Sequence, residues 1–201
     1  MTLFKRLVPA AFAVLAAVSP ALALDLDVTS FNLDNGMQVV VVEDPRMPAI
    51  VHMVWYKVGS ADEPKGKSGI AHFLEHMMFK ATANMKSGEF SSTVARNGGR
   101  DNAFTSFDYT GYFQTIPKDR LELVMRMEAD RMTNILFNDE QVEPERQVIL
   151  EEINVHEDTP DDLVHDLFTE TLWPGHPLGR PILGTPESIR AATRAQVHRF
   201  Y

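Results

Sequence analysis

From Ile70 to Phe79 the chain is apolar apart from His72, Glu75 and His76. Wound as a helix, Phe73, Leu74, Met77 and Met78 occupy most of the circumference, so this segment must be surrounded by other elements rather than lie on the surface. The two histidines are four residues apart and project from one face, with Glu75 close to the same arc. Burying His, Glu and His on an otherwise apolar rod carries a free-energy cost unless each finds a partner. A divalent cation would satisfy all of them, and so would hydrogen bonds from a polar core.

The spacing His72-x-x-Glu75-His76 is the inverted zincin pattern, in which the Glu acts on metal-activated water. Five residues recur by chance, and a catalytic zinc wants three protein ligands with one open position. The third is sought further along. Around the helical wheel of 144–157, Val148, Glu152, Glu145, His156, Ile149 and Ile153 share one arc, while Gln147, Glu151, Asn154 and Glu157 form an ordinary solvated face. Two carboxylates inside an apolar stripe repel each other unless a cation is near. Glu152 is therefore expected to point inward as a ligand, its neighbour Glu151 outward, and Glu145 to be an auxiliary carboxylate. Surface acids that merely flank a core would give the same wheel. His156 lies on the inward arc as a candidate supporting residue.

The remaining pattern places these helices on a sheet. Strands are expected at 26–33 and 37–43 around the turn Asp34-Asn35-Gly36, at 50–58, at 101–107 and at 109–116. Helices are expected at 68–80 with Ser68 as cap, at 88–96, at 118–133, at 144–157 with Pro144 at the start, and at 187–201. The stretch between the last two, rich in Pro and Gly, reads as turns. This order predicts an α+β fold, a mostly antiparallel sheet with helices packed on one face.

At the N-terminus, Lys5-Arg6 precede an apolar run too short to span a bilayer and end at Ala21-Leu22-Ala23. That is a secretory signal peptide over 1–23, cleaved after Ala23, with a domain over 24–201 and a periplasmic or secreted destination, free of the membrane after cleavage. Twenty-eight acidic residues against 19 basic ones give a net charge of -9, which disfavours nucleic acid as a partner. The absence of cysteine excludes thiolate metal sites, Cys nucleophiles and disulfides. Neither Gly98-Gly99 nor the Gly175–Gly184 loop has a phosphate-binding spacing.

Taken together, Gly59-Ser60, Glu63-Pro64, the run Gly69 to Phe79, Glu145-Arg146 and Glu152, about 75 residues beyond His76, resemble the pitrilysin (insulinase-like) family of zinc peptidases. The likeness is to bacterial relatives of the mitochondrial processing peptidase, whose domain fold matches the one expected above. Ala81 stands where the family commonly has Gly. The resemblance implies one Zn2+ per chain held by His72, His76 and Glu152, catalysis by Glu75 with Glu145, and hydrolysis of peptides or unfolded segments. Asn102 and Ala103, in the run Asn102 to Tyr112, would then contact a peptide substrate added as an extra strand. By residue pattern alone that run is a plain hairpin. Resembling enzymes have two homologous halves, and no counterpart of the far half's Arg and Tyr is found here. The chain is thus expected to be an N-terminal part, working with a homologous second half or a partner subunit. Two alternatives stay open: the metal-bearing subunit of a heteromeric peptidase, and a non-catalytic peptide-binding module.

Overall fold

The computed structural model describes residues 27–201. The expected signal peptide lies outside them. No helix among the described residues is long and apolar enough to cross a membrane. Two compact units are present, divided between Met47 and Pro48.

In the first unit, β1 (Asp27–Asn32) and β2 (Gln38–Glu43) pair antiparallel with Val28 opposite Val42 and Ser30 opposite Val40. The turn is the one the Asn-Gly pair predicts. Gly36 takes a left-handed φ of +85°, and the Asn35 side chain accepts from the Met37 amide at 3.1 Å.

The second unit is built on a three-stranded antiparallel sheet of β3 (Ala49–Tyr56), β4 (Arg100–Thr105) and β5 (Thr110–Pro117), in the order β3-β5-β4. Alternation decides its two faces. Tyr112, Gln114 and Ile116 of β5 are buried on the side covered by α2 (Glu89–Arg96) and α3 (Leu121–Asn134). Phe90, Val94, Ile116, Val124 and Met127 form the core there. Gly111 is required on the other face: a Cβ would meet the Phe104 ring at 2.5 Å.

A second core joins α1 (Ile70–Met77) to α4 (Asp139–Glu157), α6 (Pro186–Ala191) and α7 (Arg194–Phe200). Phe73 and Met77 of α1 pack in one cluster with Val142, Ile149 and Ile153 of α4, all 3% exposed or less. Arg146 reinforces the junction, its guanidinium 5.4 Å from the Phe73 ring centre while it donates to the Ile189 carbonyl.

Several boundaries depart from expectation. Helix α4 starts at Asp139, and Pro144 lies inside it. Burial of Val142 and the acidic first turn, Asp139 and Glu140, favour the extra turn despite the bond Pro144 cannot make. The stretch read as turns contains α5 (Pro160–Leu172), which begins at Thr159-Pro160-Asp161-Asp162, a start signal that the Pro/Gly count downstream obscured. The last helix is two, α6 and α7, because Thr193 caps a new start by accepting from the Gln196 amide. Ser68 does not cap α1. Its hydroxyl donates to the Pro181 carbonyl at 3.2 Å, and the N-cap position is Gly69.

Candidate metal centre

Helix α1 presents His72 in its first turn and His76 in its last, and α4 brings Glu152 to them. His72 Nε2 and His76 Nε2 are 3.1 Å apart, and Glu152 Oε2 lies 3.2 Å from the latter and 3.6 Å from the former. Metal–ligand bonds of 2.0–2.1 Å at tetrahedral angles put ligand atoms about 3.3 Å apart. The triangle therefore has the dimensions of one face of a zinc tetrahedron. Among the described residues it is the one His/Cys/Asp/Glu group whose ligand atoms converge in this way.

Protonation makes the same point. Burial, then the neighbouring His76, push His72 down to about 3, so its ring is neutral at pH 7. His76 Nδ1 donates to Glu145 Oε1 at 2.8 Å, which leaves Nε2 to face the triangle. Burial lowers the His76 pKa, but the hydrogen bond to Glu145 and the charge of Glu152 outweigh it and raise the net value. With both Nε2 atoms unprotonated, two imidazole nitrogens and a carboxylate oxygen are acceptors facing acceptors, an arrangement that a cation or a shared proton relieves. The donor set fits zinc.

Glu145 is 8% exposed and is not among the three residues whose ligand atoms converge. It accepts from His76 on one oxygen and pairs with Lys80 Nζ on the other. Burial raises its pKa, yet the bonds from His76 and Lys80 prevail and hold it below the usual carboxylate value. Its two contacts set it against His76 and Lys80. Glu75 is buried too, and Thr105 Oγ1 of β4 donates to its Oε2 at 2.5 Å. Burial, opposed by the hydrogen bond from Thr105, raises the Glu75 pKa.

Glu151 follows the wheel and is exposed, its nearest partner the Asn154 amide at 3.2 Å. His156 turns elsewhere: its Nε2 is 2.8 Å from Asp166 Oδ2, and Asp162 is 3.6 Å from its Nδ1, both on α5. It takes no part in the metal triangle.

Asn102 and Ala103 lie on β4, an edge of the three-stranded sheet and the strand that also carries Thr105. Ser106 N donates to Tyr109 O at 2.8 Å, so by alternation Phe104 and Asn102 bond across to β5 while Ala103 turns its amide outward. That amide is met by the Asn102 side-chain oxygen at 2.9 Å. The strand ends at Thr105, which bonds to Glu75 of α1.

Two contacts at the site had no signal in the sequence. Thr105 and Lys80 carry no local signal, since their partners are 30 and 65 positions away in the chain (75 to 105, and 80 to 145). Glu63 was noticed only as part of a motif.

Similarity to known proteins covers most of the chain. Residues 38–186 match the family described as Insulinase (Peptidase family M16). The zinc protease PqqE of Helicobacter pylori is 38% identical over 174 residues, covering 86% of this chain and 39% of that protein. The uncharacterized zinc protease YmxG of Bacillus subtilis is 35% identical over 175 residues, covering 85% and 43%. A crystal structure of a protease from Helicobacter pylori superimposes with a TM-score of 0.83 at 37% identity, over 87% of this chain and 42% of that one. The periplasmic protease PqqL of Escherichia coli gives 0.80 at 28% identity, over 89% and 21%. The chain spans about two fifths of the length of the curated relatives it matches.

Proposed function

The chain belongs to the insulinase family of peptidases, M16, and from that premise we propose that it carries the catalytic centre of a zinc-dependent endopeptidase acting on peptides or unfolded protein segments. His72, His76 and Glu152 would hold one Zn2+. Bound there, zinc supplies a Lewis acid that polarises the scissile carbonyl and lets water lose a proton near neutral pH. Glu75 takes that proton at its carboxylate and returns it to the leaving amine, while Thr105 keeps one of its oxygens fixed. Glu145 holds the His76 ring so that Nε2 faces the ion. The substrate backbone pairs along the outer edge of β4, near Ala103, once the Asn102 side chain yields the amide it now occupies.

The observation that carries this reading is the convergence of two imidazole nitrogens and a carboxylate oxygen from two helices within 3.6 Å. Zinc analysis after dialysis tests it, with one ion per chain expected and none refuting it. Glu75→Gln should keep that ion and abolish hydrolysis. Full turnover in that variant would remove Glu75 from the chemistry.

The share of the relatives' length covered favours one extension: substrate clamping by a homologous second half or a partner subunit. A periplasmic or secreted location is proposed from the N-terminal sequence, with support from the neighbour described as periplasmic.

A further inference from the structure

We propose that Glu63 is a positioning residue for the metal helix: its carboxylate closes the first turn of α1 and so sets where His72 stands. The inference rests on the zinc-site reading above. Helix α1 begins without a local cap. Its N-cap, Gly69, has no side chain and a left-handed φ of +87°. No larger residue could serve there, because a Cβ would lie 2.5 Å from the Leu183 carbonyl oxygen and 2.8 Å from Gly184 Cα. The neighbouring Ser68 is turned away to Pro181.

Glu63 fills the gap from six residues upstream. It is 3% exposed, its Oε2 accepts from the Gly69 amide at 3.1 Å and its Oε1 from the Ala71 amide at 2.9 Å. Two of the donors that a helix start leaves orphaned are thereby satisfied by a group of the sign the helix dipole favours. The Glu63 backbone is itself anchored, with Arg180 Nη1 donating to its carbonyl at 2.9 Å. Burial pushes the Glu63 carboxyl up to about 7 against the pull of the two amides, so the chain keeps this acid inside at a cost.

The two histidines differ in what holds them. His76 is steered by Glu145, whereas His72 Nδ1 is buried with no hydrogen-bond partner among the described residues. Backbone placement must then position His72, and His72 directly follows Ala71 in the turn that Glu63 closes. Loss of the cap should displace one ligand and leave the other in place.

The test uses the metal-free chain, titrated with Zn2+ against a chromophoric chelator and with Co2+ by visible absorption. Glu63→Gln keeps the size of the side chain but sets an amide donor against a backbone donor. It should weaken zinc binding tenfold or more and reduce the intensity of the tetrahedral Co2+ bands. Val124→Ala, in the other core, should lower the melting temperature without changing either metal readout. Zinc affinity within threefold of wild type in Glu63→Gln, or equal weakening in Val124→Ala, overturns the proposal. Should Glu63→Gln not fold, Arg180→Met loosens the same loop and is held to a threefold loss; unchanged affinity there overturns it as well. A wild-type chain that takes up no zinc fails the functional reading and this inference together, whereas zinc-binding wild type with an unaffected Glu63→Gln fails only the inference.

Discussion

Glu145→Gln isolates the part of the site that orients a ligand without touching the ion. In the native chain one Glu145 oxygen accepts from His76 Nδ1 and the other meets Lys80, in surroundings that leave the residue 8% exposed. A glutamine can keep only one of these bonds. If its carbonyl stays on His76, its amide nitrogen faces the Lys80 ammonium, donor against donor; if it flips, His76 loses its acceptor. Either way the His76 ring is less firmly held and less basic. Loss of such an outer partner costs about 10–100-fold in metal affinity, or about 1.4–2.7 kcal/mol. The Lys80 side chain is 22% exposed and can turn to water, so the added loss of fold stability should be small, roughly 1 kcal/mol. Chelator competition on the metal-free chain measures the first quantity and denaturant unfolding the second. A zinc affinity within twofold of wild type would refute the reasoning, and with it the claim that Glu145 acts through His76.

Three further outcomes follow from the same geometry. Glu152→Gln should abolish stoichiometric zinc retention on dialysis while Glu151→Gln retains it, and equal behaviour of the two would break the assignment of the inward face of α4. Gly59→Ala places a Cβ 2.3 Å from the Ser106 carbonyl oxygen and 2.4 Å from that of Phe107, so it should destabilise the chain by about 1–3 kcal/mol in thermal unfolding; an unchanged melting temperature would show that the Ser106–Tyr109 turn moves freely. In the metal-free chain His72 titrates near 3 when folded and near 6.5 when unfolded. Its contribution is present in full above 6.5 and is lost as pH falls toward 3, about 2 kcal/mol of it by pH 5. The raised pKa of His76 works the opposite way, so the measurement is the difference between wild type and His72→Gln: superimposed stability–pH profiles would contradict the buried, neutral His72.

How far the site could be read in advance depended on the range of each interaction. The His72–His76 pairing needed only the helical period, and Glu152 could be separated from Glu151 by a wheel drawn on α4 alone. Each reading says which residues share a face of one helix and leaves open what that face meets. Asn102 and Ala103 were reached only through resemblance, because an edge strand and a central one have the same alternation. The Ser68 cap failed for a physical reason: its hydroxyl found a partner in Pro181, over a hundred residues away. Helix α5 carries its own signals, the start at Thr159-Pro160 and apolar residues at helical spacing, Leu163, Val164, Leu167, Phe168 and Leu172, yet it buries none of its residues.

By itself, the order of residues determined which side chains share a face: His72 with His76, Glu145 with Glu152, and the hairpin at Asn35-Gly36. These are properties of one element's own repeat. The distance between α1 and α4 was decided only when Phe73 and Met77 packed with Val142, Ile149 and Ile153, because close packing between elements depends on side chains far apart in the chain. That packing turned a face on each of two helices into a triangle of ligand atoms and set Lys80 against Glu145, while Thr105 reaches Glu75 from β4 and Glu63 reaches its amides from the adjoining loop.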